Sequence, residues 1–529
     1  MHVHLIGVAG TGMSALASLL AERGHRVSGS DTAFDPPVGP YLDALGIECM
    51  RGWKASNLDT NPDLVIVGNV CRKNNPEAQD AFQRGIRAVS MTTALAEEVL
   101  SARVPFVVAG THGKTTTSAL TAYLLRSVDV DAGFFVGGLP LNFERSSSLG
   151  AEGAPFVIEG DEYDSAFFEK TPKFWGYQPS SAILTSIEYD HVDIYPDEAA
   201  YVNAFVEFVK RIPKTGWLFA WAGDPRVREV ASKAACNVRF YALDGDDCGD
   251  VQPMWLGMRA PGGALDLFGG GSLCGRATLP LFGKHNARNA VAALALASEA
   301  GGAPLDRLIA ALPRFRGTKR RQELVGVANG IHVYDDFAHH PTAVRETLGG
   351  FRERVDGRLI AVFEPRSATA SRALHQDAYP AAFAPADITI FAPVGRSEIA
   401  EDERLDTNAI AEAIRKTGAK AIACPTVDDT IAQAVAAATP GDTIETNLHG
   451  PYIFLNDQCG PVSATVTCDG ELDLGVSAGI NCEVAEGASL GNTDAARSAF
   501  YNIGRVIQKA QYWMPSNSWL QNTLEVRTN

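Results

Sequence analysis

The sequence predicts an α/β fold of three consecutive domains, followed by a tail that departs from the pattern. A short apolar strand at His2–Ile6 leads through a glycine-rich turn into an apolar-periodic helix. A second apolar strand, at 106–109, leads through another glycine-containing loop into an amphipathic helix. Beyond residue 331 strands and helices alternate again, with a helix expected at 371–383, and this alternation is typical of a parallel sheet covered by helices.

Length and composition limit the class of protein. The chain has 529 residues, of which 46% are hydrophobic and 20% are charged, and a net charge of −16 argues against a general nucleic-acid binder. It shows neither an apolar run of about eighteen residues nor a basic leader, so we expect no membrane span and no secretion. Nine cysteines without a C-x-x-C pair favour reduced thiols in a cytoplasmic enzyme.

The first domain, predicted over 1–103, has the pattern of a nucleotide-binding unit. Its turn reads GVAGTG at 7–12, and Asp31 closes the second strand. Helix amides can hold a diphosphate at such a turn, while the acid contacts a sugar or base. Ala9 stands where a strict G-x-G-x-x-G requires glycine, so a nucleotide diphosphate is favoured over a nicotinamide cofactor. A bare strand–turn–helix remains the alternative.

The second domain, predicted over 104–313, carries a phosphate-binding loop that reads GTHGKT at 110–115. Its glycines let backbone N–H groups converge on phosphate oxygens, Lys114 neutralises their charge, and the Thr115 hydroxyl can ligate Mg²⁺. Val108 replaces the first glycine of a standard Walker loop, so this loop is a shorter variant. A purely structural turn is the alternative.

Acidic residues follow two further strands of this domain. EGDEYD at 159–164 places four carboxylates after an apolar strand, which is suited to Mg²⁺ but also to a solvated turn. His191 stands among acids after the strand at 182–185, as a second metal ligand or a capping residue. Asn286 and Asn289 lie three positions apart on a first helical turn, where amides can contact adenine or cap the helix.

The third domain is predicted over 314–444, beyond a hinge at 313–317. Four cations at 316–321 form either a phosphate clamp or a solvated charge run. The pair His339-His340 suggests a metal in isolation, but no third ligand has suitable spacing nearby, so substrate contact or helix capping is favoured. Arg366 follows the strand at 359–363 and is a natural receptor for a substrate carboxylate.

The tail at 445–529 differs in composition. It contains 8 asparagines, against 12 in the preceding 444 residues. A strand begins at 442–444, but the mostly polar residues from Glu445 onward do not continue its apolar pattern. We therefore expect a last strand that is truncated, rebuilt or followed by a fused module, with short strands at 461–468, 472–477 and 482–485 and a helix at 495–511. The tail suggests no function.

Together the motifs resemble the Mur ligase family of ATP-dependent amide-forming enzymes. The resemblance covers residues 1–444 and rests on GVAGTGMSALA, GTHGKTTT, EGDEYD, EYDHVD, GKHNARNA, and FRGTKRR followed by YDDFAHHPT, in the family's order. It implies a Rossmann-like UDP-binding domain, a P-loop ATPase-type central domain and a Rossmann-like C-terminal domain. ATP would activate a carboxylate as an acyl phosphate, and an amine would then attack it.

Within the family, the N-terminal turn resembles the two members that act on UDP-N-acetylmuramate. NPDLVIVGN at 61–69, GDEYDSAFF at 160–168 and EPRS at 364–367 are similar to the member that adds the tripeptide L-Ala-γ-D-Glu-meso-diaminopimelate in peptidoglycan recycling. The alternative is the member that adds L-alanine in de novo synthesis. A non-catalytic UDP-sugar- and ATP-binding paralogue and an oxidoreductase are competing classes.

The resemblance also implies roles for individual residues. Lys114, His191 and Arg320 would be catalytic, and Arg366 would bind the peptide. The ATP site would comprise Gly110, Thr111, His112, Gly113, Lys114, Thr115, Thr116, His285, Asn286, Asn289, Arg320 and Asp336. Gly10, Thr11, Gly12, Ser14 and Asp31 would bind the UDP-sugar, and Thr115, Glu159, Glu162 and His191 would bind Mg²⁺. We expect small-molecule substrates, no nucleic-acid or membrane partner, and a monomer or weak homodimer.

Overall fold

The first domain is built on a parallel sheet. The structure, a computed structural model, describes residues 1–35, 38–192, 194–396 and 399–448 and the backbone of 465–466 and 472–473. The strands of the first sheet run in the order β3-β2-β1-β4-β5, which brings the carboxyl ends of β1 and β2 together at the glycine-rich turn. The elements are β1 (His2–Ile6), α1 (Thr11–Glu22), β2 (Arg26–Asp31), α2 (Val38–Ala44), β3 (Glu48–Arg51), β4 (Leu64–Val67), α3 (Pro76–Arg84), β5 (Ala88–Ser90) and α4 (Met91–Glu98).

The central domain surrounds a large mixed sheet. Its first part contains β6 (Val104–Ala109), α5 (Lys114–Arg126), β7 (Gly133–Phe135), β8 (Ser147–Ser148), β9 (Pro155–Gly160), β10 (Asp164–Ala166), β11 (Glu169–Pro172), α6 (Lys173–Gly176) and β12 (Ser181–Leu184). Its second part contains α7 (Glu198–Val209), β13 (Trp217–Trp221), α8 (Pro225–Ala231), β14 (Asn237–Leu243), β15 (Trp255–Ala260), β16 (Ala264–Gly269), β17 (Ser272–Thr278), α9 (Lys284–Glu299) and α10 (Leu305–Ala311).

The strand order of this sheet explains where the functional loops meet. It is β17-β16-β15-β14-β13-β12-β6-β9-β7-β8, and β6 pairs in parallel with both β9 and β12. The loops after these three strands therefore lie at one edge of the sheet. Helices α5 and α9 pack together on one face, where the buried segment 290–297 is rich in alanine and allows close contact.

The third domain has a sheet in the order β18-β19-β23-β20-β21-β22. Its elements are β18 (Glu323–Ala328), β19 (Ile331–Asp335), α11 (Pro341–Arg352), β20 (Leu359–Phe363), α12 (Tyr379–Ala382), β21 (Ile388–Phe391), α13 (Thr407–Lys416), β22 (Lys420–Ala423), α14 (Val427–Ala437) and β23 (Thr443–Thr446). The predicted α/β class and the three-domain organisation are confirmed. None of the helices that the structure describes has the length and apolar composition of a membrane span.

Residues 1–325 and 333–447 form one compact unit. In the tail the structure describes β24 (Thr465–Val466) and β25 (Leu472–Asp473), which pair antiparallel and fall within two of the predicted strands. The predicted strand at 482–485 and helix at 495–511 lie outside the described residues.

Two sequence-based expectations in the third domain are wrong. The last strand is not broken at Glu445: β23 continues through Thr446 and pairs with β20 inside the sheet. The long helix expected at 371–383 is also absent from the described residues. A short 3₁₀ turn at Ala373–His375 and the single turn of α12 occupy that segment, because Pro380 lacks an N–H and the backbone at Ala373 bonds Glu403 instead.

Candidate active site

The phosphate-binding loop joins β6 to α5 and is tightly packed. Gly110 has a φ of +132°, and a Cβ there would lie 2.1 Å from Thr185 Oγ1. Gly113 precedes α5 with a φ of +81°, and its Cβ would lie 2.7 Å from Asn289 Oδ1. Both positions therefore require glycine. The helix N-terminus behind this loop provides the N–H groups and partial positive charge that favour a phosphate.

Lys114 is the first residue of α5 and lies at the centre of the site. Its Nζ donates to the carbonyl of Gly110 at 2.7 Å and to Glu162 Oε1 at 3.0 Å. Burial alone would lower the pKa of Lys114, but the carboxylates of Glu162 and Asp161 outweigh it and raise the pKa. Lys114 is consequently a fixed positive charge beside the glycine loop.

Thr115 and Glu159 form a set of oxygen ligands next to that charge. The Thr115 hydroxyl donates to Glu159 Oε1 at 2.7 Å, and the backbone N–H of Gly137 donates to Glu159 Oε2 at 2.8 Å. A threonine hydroxyl and a carboxylate are hard oxygen donors of the kind that Mg²⁺ prefers. The predicted pairing of residues from β6–α5 and β9 is therefore present in the structure.

Glu162 links Lys114 to His191. Its side chain is only 1% exposed, and its Oε1 lies 2.9 Å from His191 Nε2. His191 has a left-handed φ of +57°, and its backbone N–H donates to Asp190 Oδ1 at 2.7 Å. Burial would lower the pKa of His191, but the hydrogen bond and charge of Glu162 raise it. This carboxylate therefore contacts both the imidazole of His191 and the ammonium group of Lys114, 29 and 48 positions away in sequence.

The first turn of α9 faces the glycine loop. Asn286 Nδ2 donates to Phe282 O at 2.8 Å, and Asn289 Nδ2 donates to Asn286 Oδ1 at 3.3 Å. His285 Nδ1 is buried and has no hydrogen-bond partner among the described residues. Burial lowers the pKa of His285 to about 3, so this ring is neutral at physiological pH. This turn thus contains hydrogen bonds made by two side-chain amides and one buried ring nitrogen whose hydrogen-bonding capacity is not satisfied by the described residues.

The two arginines at the domain junction have different environments. Arg320 pairs with Asp335 at 3.1 Å, and its guanidinium lies 5.5 Å from the centre of the Phe337 ring. Arg321 lies over the same ring at 5.0 Å and donates to Thr115 Oγ1 at 3.3 Å. The sequence predicted Arg320 as the phosphate contact, but Arg321 is the one that reaches the glycine loop. Nothing in the local pattern FRGTKRR distinguishes the two.

Asp336 is buried and accepts hydrogen bonds from within its own domain. Its Oδ2 accepts from Gln322 N and its Oδ1 from Ala338 N, both at 2.8 Å. Burial raises the pKa of Asp336. Thr116, the other residue expected near ATP, is buried in α5.

The first domain presents a comparable helix terminus at the end of β1. Asp31 Oδ2 accepts from the backbone N–H of Ala9 at 2.9 Å and fixes the turn before α1. The Ser14 hydroxyl donates to Thr11 O at 3.0 Å. Gly10 precedes α1, and a Cβ on Gly12 would lie 3.2 Å from Met91 Sδ. The residues expected to bind a diphosphate therefore cluster at one helix N-terminus.

Contacts between the central and third domains were missed at the sequence level. Thr342 Oγ1 donates to Glu188 Oε1 at 2.8 Å, and Thr369 Oγ1 donates to Asp190 Oδ1 at 2.6 Å. Burial would raise the pKa of Glu188, but its hydrogen bond from His112 and the nearby imidazoles lower it to about 2. No sequence signal marks these pairs, since the partners are 154 and 179 positions apart.

Arg366, the residue expected to bind the peptide, follows β20. Its side chain is 55% exposed, and its Nη1 lies 3.3 Å from Glu364 Oε1. An exposed guanidinium of this kind can form a bidentate pair with a carboxylate. In the same domain, His340 caps α11 by accepting from Thr342 N at 3.3 Å, as the sequence suggested.

The fold and the site define a class of enzyme, and comparison with known proteins agrees. Residues 2–103 match the model of the "Mur ligase family, catalytic domain", 108–297 that of the "Mur ligase middle domain" and 320–446 that of the "Mur ligase, glutamate ligase domain". The chain belongs to the Mur ligase family, and it is therefore an ATP-dependent amide ligase.

Individual relatives indicate which members of the family the chain is similar to. The UDP-N-acetylmuramate–L-alanyl-γ-D-glutamyl-meso-2,6-diaminoheptandioate ligase of Escherichia coli is 39% identical over 71% of this chain and 81% of its own. A UDP-N-acetylmuramate–L-alanine ligase of Rubrobacter xylanophilus is 36% identical over 74% and 84%. The crystal structure of a murein peptide ligase from Psychrobacter arcticus is 34% identical, covers 84% of this chain and 95% of its own, and superposes with a TM-score of 0.64.

Proposed function

We propose that this chain joins UDP-N-acetylmuramate to the tripeptide L-Ala-γ-D-Glu-meso-diaminopimelate at the expense of ATP, and so returns recovered peptide to peptidoglycan synthesis. The observation that carries the chemistry is the convergence of Lys114, His191 and Glu162 beside the Thr115–Glu159 pair. The tripeptide is supported by the identity with the Escherichia coli enzyme of that name. The EPRS segment that ends at Ser367 supports it further.

Each domain is assigned one substrate. Residues 1–103 bind the UDP-sugar, with its diphosphate at the N-terminus of α1. Residues 104–313 bind ATP at the glycine loop, and 314–444 bind the incoming peptide. In this scheme Asp31 orders the turn that meets the diphosphate, because it already fixes Ala9. The exposed guanidinium of Arg366 receives a carboxylate of the peptide.

The residues at the glycine loop fit ATP and Mg²⁺. The N-terminus of α5 is aimed at the position of the phosphates, and Lys114 and Arg321 supply positive charge there. Thr115 and Glu159 provide hard oxygen ligands for Mg²⁺, and Glu162 with His191 provides a further ligand pair. When bound, the ion neutralises phosphate charge and polarises the transferred group.

The reaction requires activation of a carboxylate and then attack by an amine. The muramoyl carboxylate takes the terminal phosphoryl group of ATP, which gives an acyl phosphate and ADP. The amine of the tripeptide's L-alanine attacks the acyl carbon, the C–O bond to phosphate breaks, and phosphate leaves. Lys114 and Arg321 reduce repulsion between the two polyanionic substrates.

The attacking amine must also lose a proton. His191 and Glu162 share a hydrogen bond at 2.9 Å and are the titratable pair at this position. Whichever of the two groups does not hold the ion can take the proton from the amine, so we assign the acceptor to this pair.

The test is phosphate release from ATP and Mg²⁺ in the presence of UDP-N-acetylmuramate, with the tripeptide or with free L-alanine. We expect turnover with the tripeptide and little with L-alanine, and a product whose mass is that of the joined UDP-muramoyl tripeptide. A preference for L-alanine would assign the chain to the de novo reaction of the Rubrobacter relative. Turnover with neither acceptor would contradict the proposal.

A further inference from the structure

We propose that His112, Glu188 and His340 form a binding site for a first-row transition cation of the Zn²⁺ type, separate from the oxygen ligands assigned to Mg²⁺. One ligand atom from each of the three residues can be chosen so that all lie within 4.8 Å of one another. His112 belongs to the glycine loop, Glu188 follows β12, and His340 caps α11. The sequence left His340 without a partner ligand, because the other two lie 228 and 152 positions away.

The distances between these groups are close to those of a tetrahedral site. Glu188 Oε2 lies 2.8 Å from His112 Nε2 and 3.7 Å from His340 Nδ1. Ligands about 2.0 Å from a tetrahedral Zn²⁺ are about 3.3 Å apart, so each separation differs from that value by about half an ångström. The two imidazole rings have centroids 5.0 Å apart and are tilted by 45°. The nitrogens of the two imidazoles lie within 4.8 Å of each other, so the two rings would move closer together to coordinate one ion.

The donor set selects the kind of ion. Two imidazole nitrogens and one carboxylate oxygen suit Zn²⁺ and its neighbours better than Mg²⁺, which favours sites made mostly of oxygen ligands. Three protein ligands leave one tetrahedral position for water or a substrate atom.

The surroundings of His340 indicate unused bonding capacity. Its side chain is 4% exposed, and its Nδ1 accepts only a long bond of 3.3 Å from Thr342 N. Its Nε2 is buried and has no hydrogen-bond partner among the described residues. The ring of His375 lies 4.5 Å away, and its Nε2 is likewise buried without a partner there. A buried polar ring with so few hydrogen bonds is costly unless a ligand completes it.

The three ligands of the site come from two different domains, so a bound cation would connect these domains. His112 and Glu188 belong to the central domain, whereas His340 belongs to the third. A cation held by all three would fasten α11 to the glycine loop, in addition to the hydrogen bond from Thr342 to Glu188. Occupancy is therefore expected to stabilise the arrangement of these two domains.

The site can be tested by equilibrium dialysis of the full chain against Zn²⁺ in excess Mg²⁺, with the bound zinc measured by atomic emission. His340→Ala removes one ligand, and Glu188→Gln removes the anionic ligand but keeps an oxygen acceptor for Thr342. His339→Ala is the matched control, since that neighbouring imidazole bonds Phe337 O through Nδ1 and is outside the cluster. Circular dichroism confirms that each variant is folded.

We expect the wild-type chain and His339→Ala to bind one more equivalent of zinc than the other two variants, with at least about a tenfold loss of affinity in the latter. Zinc held by thiols such as Cys274 is common to all four chains and cancels in this difference. Zinc should also raise the melting temperature of the first two proteins only. Equal zinc content in all four chains, or displacement of the bound zinc by Mg²⁺, would overturn the proposal.

Discussion

Arg321 Nη2 donates to Thr115 Oγ1 at 3.3 Å, although the two residues are 206 positions apart. This bond connects the beginning of the third domain to the glycine loop of the central domain. Arg321 also lies over the ring of Phe337, which holds its planar guanidinium in place. A positive charge supplied by the third domain therefore reaches the phosphate-binding loop.

Replacement of that charge should impair catalysis. We expect Arg321→Ala to lower kcat for ATP-dependent phosphate release by about 10²-fold, which is typical of losing one preorganised charge at a reacting phosphate. Steady-state kinetics with saturating ATP and acceptor measure the effect. Arg316→Ala is the control, because that residue belongs to the same cationic segment but is exposed. Equal activity of the two variants would refute the role of Arg321.

Replacement of Lys114 should impair catalysis more than replacement of Arg321. Lys114→Met removes the charge that contacts the carbonyl of Gly110, and it leaves Glu162 paired with His191 alone. We expect kcat/KM for ATP to fall by about 10²–10³-fold or more. The matched control is Lys173→Met, which breaks a similar ion pair of 2.8 Å with Asp161 but lies outside the glycine loop. Its activity should stay within a few-fold of the wild type.

The parts of the fold that local chemistry determines were predictable. Glycine-rich turns between apolar strands and helices placed β1–α1 and β6–α5 correctly, because the turn requires residues that tolerate positive φ next to a helix N-terminus. These inferences about the turns needed only neighbouring residues. The grouping of Glu159 with Thr115 was instead implied by the family resemblance, and it agrees with the rule that adjacent parallel strands end at one sheet edge.

The errors have non-local causes. Glu445 looked like the end of a strand, yet it is buried within β23 and burial raises its pKa well above the usual range. A neutral carboxylic acid is compatible with a sheet interior, whereas the charged form that a sequence suggests is not. The pairing of Arg320 with Asp335 is also invisible to periodicity, because it depends on how the segment before β18 folds back onto the end of β19.

His285 should make the stability of the central domain dependent on pH. Burial lowers its pKa to about 3 in the folded chain, against 6.5 for an unperturbed histidine. Above pH 6.5 the ring is neutral in both states, so this contribution is fully present. Below it the unfolded chain binds a proton that the folded chain does not, and stability is lost as the pH falls from 6.5 toward 3.

The expected loss at pH 5 relative to neutral pH is about 2 kcal/mol from this residue. Urea titrations of the wild type and of His285→Asn at pH 7 and pH 5 measure it. The variant cannot bind the extra proton, so its free energy of unfolding should decrease less on acidification, by that amount. Identical pH dependence in the two chains would contradict the prediction.

Glu77 should be important for the stability of the first domain, because it is a fully buried carboxylate at the centre of a polar network. Its Oε2 accepts from Ser30 Oγ at 2.6 Å and lies 3.1 Å from His4 Nε2. Its Oε1 accepts from Lys54 N at 2.9 Å and from Asn57 Nδ2 at 2.5 Å. Removal of the carboxylate leaves several buried groups of β1 and β2 without their partner, each of which is costly.

We therefore expect Glu77→Ala to lower the free energy of unfolding by roughly 3–5 kcal/mol, the range seen when one member of a buried charged network is removed. Urea denaturation monitored by circular dichroism provides the measurement. Glu48→Ala serves as the comparison, because Glu48 pairs with Arg26 at 3.2 Å on the exposed side of the same sheet. That variant should lose less than about 1 kcal/mol, since exposed ion pairs contribute little. Similar losses in the two variants would show that the Glu77 network does not stabilise the domain in this way.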